Sequence, residues 1–173
     1  MRLENLMKKP LSLLFLLASL ASCRNNMDQY GEVFQAVMKS DDGVFRGNNL
    51  NDNRQQVESE ENKAPDAFTA NMLLYEIQIN ETAVLTVRYS FENGKLFEIG
   101  ADADFENQED GIALISAFKQ YYTTKFGSAQ TAAGFITWKG NVEKQDIRIE
   151  MTDEAELSSF SAWSISIYRD RNP

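Results

Sequence analysis

Acidic side chains with a spacing that could do chemistry occur in the run Asp102-Ala103-Asp104-Phe105-Glu106. If the run is a β-strand, Asp102, Asp104 and Glu106 share one face, with neighbours roughly 7 Å apart. Their oxygens could hold Ca²⁺, although the run lacks the glycine and the bidentate glutamate of an EF-hand loop. The alternative, which we favour, is the solvated outer face of a sheet, where charge opposes aggregation.

The residue types that the chain lacks argue against an enzyme. It contains no histidine, which removes the usual general base, the imidazole metal ligand and the Ser-His and Cys-His nucleophile pairs. No phosphate-binding glycine loop, zinc spacing or nucleophile elbow occurs. A histidine-free glycan hydrolase would use Asp102 and Asp104, yet an exposed strand lacks the apolar pocket that raises the pKa of a catalytic acid. We therefore expect a binding protein without a cofactor.

The hydrophobic period changes to two after Asn71, which predicts three successive strands. Met72, Leu74 and Leu96 point to the nominally solvated face of these strands, beside Glu98. These apolar side chains form either a patch for a partner or a surface that residues 50–65 cover. The opposite, apolar face carries Leu73, Tyr75, Ile77 and Ile79 in the first strand, Leu85, Val87, Tyr89 and Phe91 in the second, and Phe97, Ile99, Ala101, Ala103 and Phe105 in the third.

The connection between the second and third strands decides which side chains face each other. A three-residue loop, Glu92-Asn93-Gly94, pairs Tyr89 with Phe97 and places Arg88 opposite Glu98, a favourable cross-strand pair. A two-residue turn would pair odd positions with even ones and would set apolar side chains beside acidic ones. We therefore predict the three-residue loop.

Helices are predicted before and between the strands. Residues 27–40 carry one apolar stripe, and residues 108–126 carry a longer one. Residues 51–61 form either a short helix capped by Asn51 or a solvated loop. Alternating residues predict three further strands, at 134–139, 146–151 and 159–168.

The order helix, three strands, helix, three strands predicts a single α+β domain over residues 28–170. We expect one antiparallel sheet of about six strands, built from two α-β-β-β units with the helices packed on one face. The pattern Phe45-Arg46-Gly47, Val57, Glu61, Pro65, Leu74-Tyr75 resembles the α-β-β-β units of small envelope lipoproteins of the BamE/SmpA type and of β-lactamase-inhibitor-like proteins. That resemblance implies a topology of this kind.

A second resemblance concerns the first 23 residues. A basic segment with Arg2, Lys8 and Lys9 precedes an apolar run at residues 11–21, and small residues then lead into Cys23. This tripartite pattern is typical of a secretory signal, and its ending, Leu-Ala-Ser-Cys, resembles the lipobox of bacterial lipoproteins. The apolar run is roughly half of the 20 or so residues that a membrane-spanning helix needs.

The lipobox resemblance implies cleavage before Cys23, diacylation of its thiol and acylation of the new amino terminus. Residues 1–22 would then be the signal peptide, and residues 23–27 the lipidated cysteine with a short tether. Such an anchor holds a protein stably on a membrane. We expect a lipid-anchored protein of the bacterial cell envelope, on the outer rather than the inner membrane. Cys23 is the only cysteine, so no intramolecular disulfide can form.

Charge restricts the partners of this domain. The chain has a formal charge of -9, and residues 1–23 contribute +2 of it, which leaves -11 for the remainder. An acidic globule repels nucleic acid and favours cationic partners. We expect an envelope protein to be the partner, and an inhibitor or immunity protein that binds a basic enzyme is the alternative. The predicted partner surface consists of Met72, Leu74, Leu96, Glu98, Asp102 and Asp104.

Overall fold

The computed structural model describes residues 27–152 and 161–170. The predicted signal peptide and Cys23 lie outside these ranges. Within them, a 3₁₀ turn at Asp28–Tyr30 precedes three helices: α1, Glu32–Met38; α2, Arg54–Glu61; and α3, Gln108–Phe126. None of the described helices is long and apolar enough to cross a membrane.

Eight strands in the described ranges form one antiparallel sheet, in the order β1-β2-β3-β4-β8-β7-β6-β5. They are β1, Ala67–Thr69; β2, Met72–Gln78; β3, Val84–Glu92; β4, Lys95–Phe105; β5, Gln130–Ala132; β6, Phe135–Val142; β7, Gln145–Thr152; and β8, Ser161–Arg169. The predicted α+β class with a single antiparallel sheet is confirmed. The predicted six strands in two α-β-β-β units are wrong, because the short strands β1 and β5 give four strands after α2 and four after α3.

The hairpin between β3 and β4 differs from the predicted one. Its turn is the two-residue Asn93-Gly94, in which both residues are left-handed, with φ of 51° and 74°. This is the geometry of a type I′ turn, which matches the twist of the two strands. Phe97 is then the extra residue of a β-bulge. Across the bulge, Phe91 pairs with Leu96, Ser90 with Glu98 and Tyr89 with Ile99.

The bulge changes which residues of β4 face the core. Because it inserts one residue, Leu96 points to the core side, as Ile99 does two positions beyond the bulge. The predicted pairing of Tyr89 with Phe97 is therefore wrong. The predicted cross-strand pair of Arg88 and Glu98 is wrong for the same reason.

Residues 51–61 contain a helix, which begins after Asn53 rather than after Asn51. The Asn53 side chain accepts a hydrogen bond from the Gln56 N–H, and the Gln56 side chain accepts one from the Asn53 N–H. This reciprocal capping box satisfies two N–H groups that would otherwise lack a partner. The helix ends where Asn62 adopts a left-handed conformation.

All the described helices pack on one face of the sheet, as predicted. Phe34 of α1 contacts Phe118 of α3, with ring centroids 4.7 Å apart, and Phe118 stacks on Trp163 of β8 at 5.1 Å. Val57 places α2 in the same core. The opposite face of the sheet carries no helix in the described part of the chain. We call it the outer face.

Candidate partner-binding face

The outer face aligns side chains from neighbouring strands in rows that cross the sheet. Directly opposed side chains in such rows have Cβ atoms about 5 Å apart, so each row forms a continuous strip of surface. One row consists of Met72, Ser90, Glu98, Tyr168, Arg148 and Lys139. The next row consists of Leu74, Arg88, Gly100, Ser166, Glu150 and Thr137.

The centre of the outer face is built from small residues. A Cβ added to Gly100 would lie 2.9 Å from Nη2 of Arg88, so the guanidinium group of Arg88 lies directly over this glycine. On the other side of β4, the hydroxyl groups of Ser164 and Thr152 share a hydrogen bond of 2.7 Å. The centre is therefore shallow and polar, and the larger side chains stand around it.

Five of the six residues predicted to form a partner surface lie on the outer face. The sixth, Leu96, is 0% exposed and belongs to the core, so its predicted position is wrong. The bulge at Phe97 is the physical reason. The alternative prediction was that residues 50–65 cover Met72 and Leu74. It is wrong for α2, because α2 packs on the opposite face of the sheet. Met72, Leu74 and Glu98 are half-buried on the outer face, and Asp102 and Asp104 are exposed there.

The carboxylates of β4 stand on one face as predicted, but they do not converge. Burial raises the pKa of the Asp102 carboxyl, the charge of Arg88 lowers it, and the charge of Asp104 raises it, with a net increase. Glu106 follows the end of the strand and is exposed. Residues 27–152 and 161–170 contain no group of three acidic, cysteine or histidine side chains that could hold a metal ion. The weak Ca²⁺ candidate formed by Asp102, Asp104 and Glu106 is therefore not assembled.

A shallow depression lies at one end of the outer face, beside the bulge. Its basic side is compensated: Arg148 lies 3.7 Å from Glu150 and 3.5 Å from Asp170, and Asp170 also lies 3.2 Å from Lys139. On its acidic side, Glu98 forms no hydrogen bond or ion pair with any described side chain, and Glu92 lies opposite Lys95 across the β3–β4 hairpin. The depression is lined by Glu92, Phe97, Glu98, Arg148, Tyr168, Arg169 and Asp170.

Tyr168 connects the two sides of this depression. It lies directly opposite Glu98 across β4 and β8, and opposite Arg148 across β8 and β7. Burial raises the pKa of its hydroxyl, and a hydrogen bond to Glu150 raises it further. The hydroxyl is thus held on the side of Arg148 and Glu150.

A second polar cluster is buried under α1 and α2. Arg46 donates through Nε and Nη2 to the two carboxylate oxygens of Glu61, at 2.8 and 2.9 Å, and through Nη1 to the Val37 carbonyl at 2.6 Å. The Tyr89 hydroxyl donates to Glu61, and the Asn48 amide donates to that hydroxyl at 3.3 Å. Bidentate, charge-assisted pairs of this kind are among the strongest hydrogen bonds in proteins.

The buried cluster joins four parts of the fold. Burial by itself raises the pKa of Glu61, but the hydrogen bonds and charge of Arg46 outweigh it, so the pKa is lowered overall. Glu61 is therefore ionised at neutral pH. Its side chain is 1% exposed and that of Arg46 is 4% exposed, which leaves no room for a substrate. The cluster holds α1, the turn at residues 44–48, α2 and β3 together, and its role is structural.

Prediction from the sequence missed Phe97 and Tyr168 as parts of a site. The dipeptide Asn93-Gly94 carried the relevant signal, because it is the strongest short-range indicator of a two-residue hairpin. Accepting that turn together with an inward Ile99 requires an extra residue in β4, and Phe97 is that residue. Comparison of the chain with protein-family models, with curated proteins and with solved structures finds no match.

Proposed function

We propose that this protein is a lipoprotein of the bacterial cell envelope, anchored through lipid on Cys23, and that its outer face binds another envelope protein. The observation that carries the proposal is the unequal use of the sheet. One face packs against every described helix, whereas the other is open and displays the half-buried apolar residues Met72 and Leu74 next to charged ones. Protein interfaces combine such apolar anchors with a polar rim.

The length of the tether supports binding close to the membrane. Met27 is 3% exposed and belongs to the core, and it follows Cys23 by four positions in the sequence. Four Cα–Cα steps of 3.8 Å span at most about 15 Å. The adjoining 3₁₀ turn packs on α3, with the ring of Tyr30 5.6 Å from that of Tyr121. The anchor therefore joins the domain on its helical layer and leaves the outer face accessible.

The anchor and the partner are tested together in native membranes. The full chain is crosslinked in intact cells and recovered from the membrane fraction, with Cys23→Ala as the untethered control. We expect a mass increase from acyl chains on Cys23 and one stoichiometric envelope protein in the recovered complex. Recovery of the unmodified protein from the soluble fraction would refute the anchor.

Charge reversal on the outer face tests where the partner binds. Glu98→Lys/Asp102→Lys should weaken recovery of the partner at least about ten-fold, because two unfavourable charges are placed in the interface. The matched control, Glu81→Lys/Glu109→Lys, reverses two exposed carboxylates away from the outer face and should leave recovery unchanged. Equal recovery with both double variants would show that the partner binds elsewhere.

A second candidate function is an inhibitor or immunity protein that blocks a basic enzyme. The observation in its favour is the formal charge of -9, which attracts cationic partners over a long range. The same recovery experiment separates the two functions, because the partner would then be an enzyme whose activity falls when the full chain is added at equimolar concentration.

A further inference from the structure

The depression beside the bulge combines aromatic and carboxylate groups in a way that suits a positively charged side chain. Phe97 and Tyr168 supply aromatic surface, and the half-buried Glu98, which follows Phe97 and lies opposite Tyr168, supplies a carboxylate. Aromatic rings attract cations, and a nearby carboxylate adds a charged hydrogen-bond acceptor. We propose that this depression binds a lysine or arginine side chain of the partner protein, an inference that rests on the proposed function.

The position of Phe97 is the first argument for such a site. In a regular strand Phe97 would continue the inward set of apolar residues, as the hydrophobic alternation predicts. The bulge instead places it in the wall of the depression, beside Glu98. Bulges are over-represented at sheet edges and next to active sites, where they redirect a side chain. The bulge thus sets a partly exposed aromatic ring beside a carboxylate on the outer face.

The balance of charges is the second argument. Two arginines also line the depression, but Arg148 is paired with Glu150 and Asp170. Arg169 donates to the side chain of Asn51 at 2.8 Å and has no acidic partner among the described residues. The guanidinium of Arg88 lies over Gly100, one row away. Glu92 lies opposite Lys95 across the hairpin, so Glu98 is the half-buried carboxylate of the lining that has no partner among the described residues.

The test uses the ¹⁵N-labelled full chain in detergent micelles and a pair of probe peptides. The first is acetyl-Gly-Arg-Gly-amide, and the second replaces arginine by citrulline, which has nearly the same shape and no charge. We expect the arginine peptide to shift the amide resonances of Phe97, Glu98 and Tyr168 in a saturable manner, and the citrulline peptide to leave them in place. Equal shifts with both peptides would overturn the inference, since charge would then play no part.

Matched variants assign the binding to named groups. Glu98→Gln keeps the shape of the side chain and should weaken binding of the arginine peptide about five-fold, and Phe97→Ala should weaken it to a similar degree. Glu81→Gln and Phe135→Ala are the controls, because they change an exposed carboxylate and an exposed outer-face ring away from the depression. Shifts that persist in Glu98→Gln at full strength would overturn the assignment.

Two further outcomes separate this inference from the proposed function. Arg171 follows Asp170 in the sequence, and binding that appears only after removal of residues 171–173 would overturn the inference, because the chain itself would be the occupant. If Glu98→Lys/Asp102→Lys abolishes recovery of the envelope partner while the arginine peptide causes no shift, the proposed function stands and this site fails. Saturable binding of the peptide without any recovered partner supports the site and counts against the proposed function.

Discussion

Replacing Arg46 by methionine tests whether the buried ion pair holds the helical layer to the sheet. The side chain of Glu61 is 1% exposed. After the substitution, its carboxylate would retain two partners, the Tyr89 hydroxyl and Lys39, whose Nζ lies 3.9 Å away. Removing one partner of a buried pair costs about 3–5 kcal/mol, because the remaining charge is uncompensated. The Val37 carbonyl also loses its donor. We therefore expect Arg46→Met to lower the free energy of unfolding by about 4 kcal/mol at neutral pH.

The loss should depend on pH with a definite sign. In the native protein, burial raises the pKa of Glu61 but Arg46 lowers it more, so the pKa lies below its ordinary value of 4.5. Glu61 then contributes stability that is present above the unfolded pKa and is lost as the pH falls through the folded pKa. In Arg46→Met only the Tyr89 hydroxyl and Lys39 still oppose the effect of burial on Glu61, so we expect the folded pKa to rise above the unfolded one. The variant therefore loses stability as the pH rises, and the difference between the two proteins widens from about pH 4 to pH 7.

Urea unfolding of the full chain at both pH values, followed by the fluorescence of the buried Trp138 and Trp163, measures this difference. The control is Arg54→Met, which removes a partly exposed pair with Glu58 at 3.0 Å and a hydrogen bond to the Thr69 carbonyl at 2.7 Å and should cost about 1 kcal/mol. A loss below about 1 kcal/mol for Arg46→Met at pH 7, or an equal loss at both pH values, would refute the reasoning.

Five further substitutions test the backbone conformation, the strand register and the cap of α2. Gly43→Ala should lower the free energy of unfolding in urea by about 2–3 kcal/mol, because φ is +73° and the added Cβ would lie 2.7 Å from a backbone oxygen. Gly94→Ala is the control. Its φ is +74° and nothing lies within 4 Å of the added Cβ, so it should lower this free energy by about 1 kcal/mol. Leu96→Ala, in the core, should lower the free energy of unfolding by about 2–5 kcal/mol, and Leu74→Ala, on the outer face, by less than about 1.5 kcal/mol. Equal losses would contradict the assignment of Leu96 to the core by the bulge. Asn53→Ala should cost about 1 kcal/mol through loss of the α2 cap, and an unchanged denaturation midpoint would show that the cap contributes nothing.

The elements with strong hydrophobic periodicity were predictable from the sequence. The helix at residues 108–126 and the inward side chains of β2 and β3 agree with the structure. The edge strands β1 and β5 were not predictable, because three residues are too few to show a period. Their partners are supplied by neighbouring strands, and this tertiary information is absent from a local pattern.

The site was only partly predictable for a similar reason. Side chains two apart on one strand, such as Asp102 and Asp104, keep their common face whatever the register is. A bulge interrupts this alternation, so Leu96 and Phe97 lie on faces opposite to the predicted ones. The pair of Arg46 and Glu61 gives no local signal either, because 15 residues and a left-handed turn separate its members.

The two faces of the sheet carry different side chains: one packs against the helices, and the other is the proposed partner-binding face. The middle of the outer face, where β4 meets β8, has Gly100 opposite Ser166, and the guanidinium of Arg88 covers the glycine, so this region presents polar groups and no bulky apolar side chain. The bulky apolar side chains of this face stand at the margins, with Leu74 on β2 and Phe135, 47% exposed, on β6. The distance between these apolar side chains is fixed, because the opposite face of the sheet is packed against the helices. A partner that contacts both margins would have to span the shallow centre, and the charged depression at Glu98 would then set its orientation.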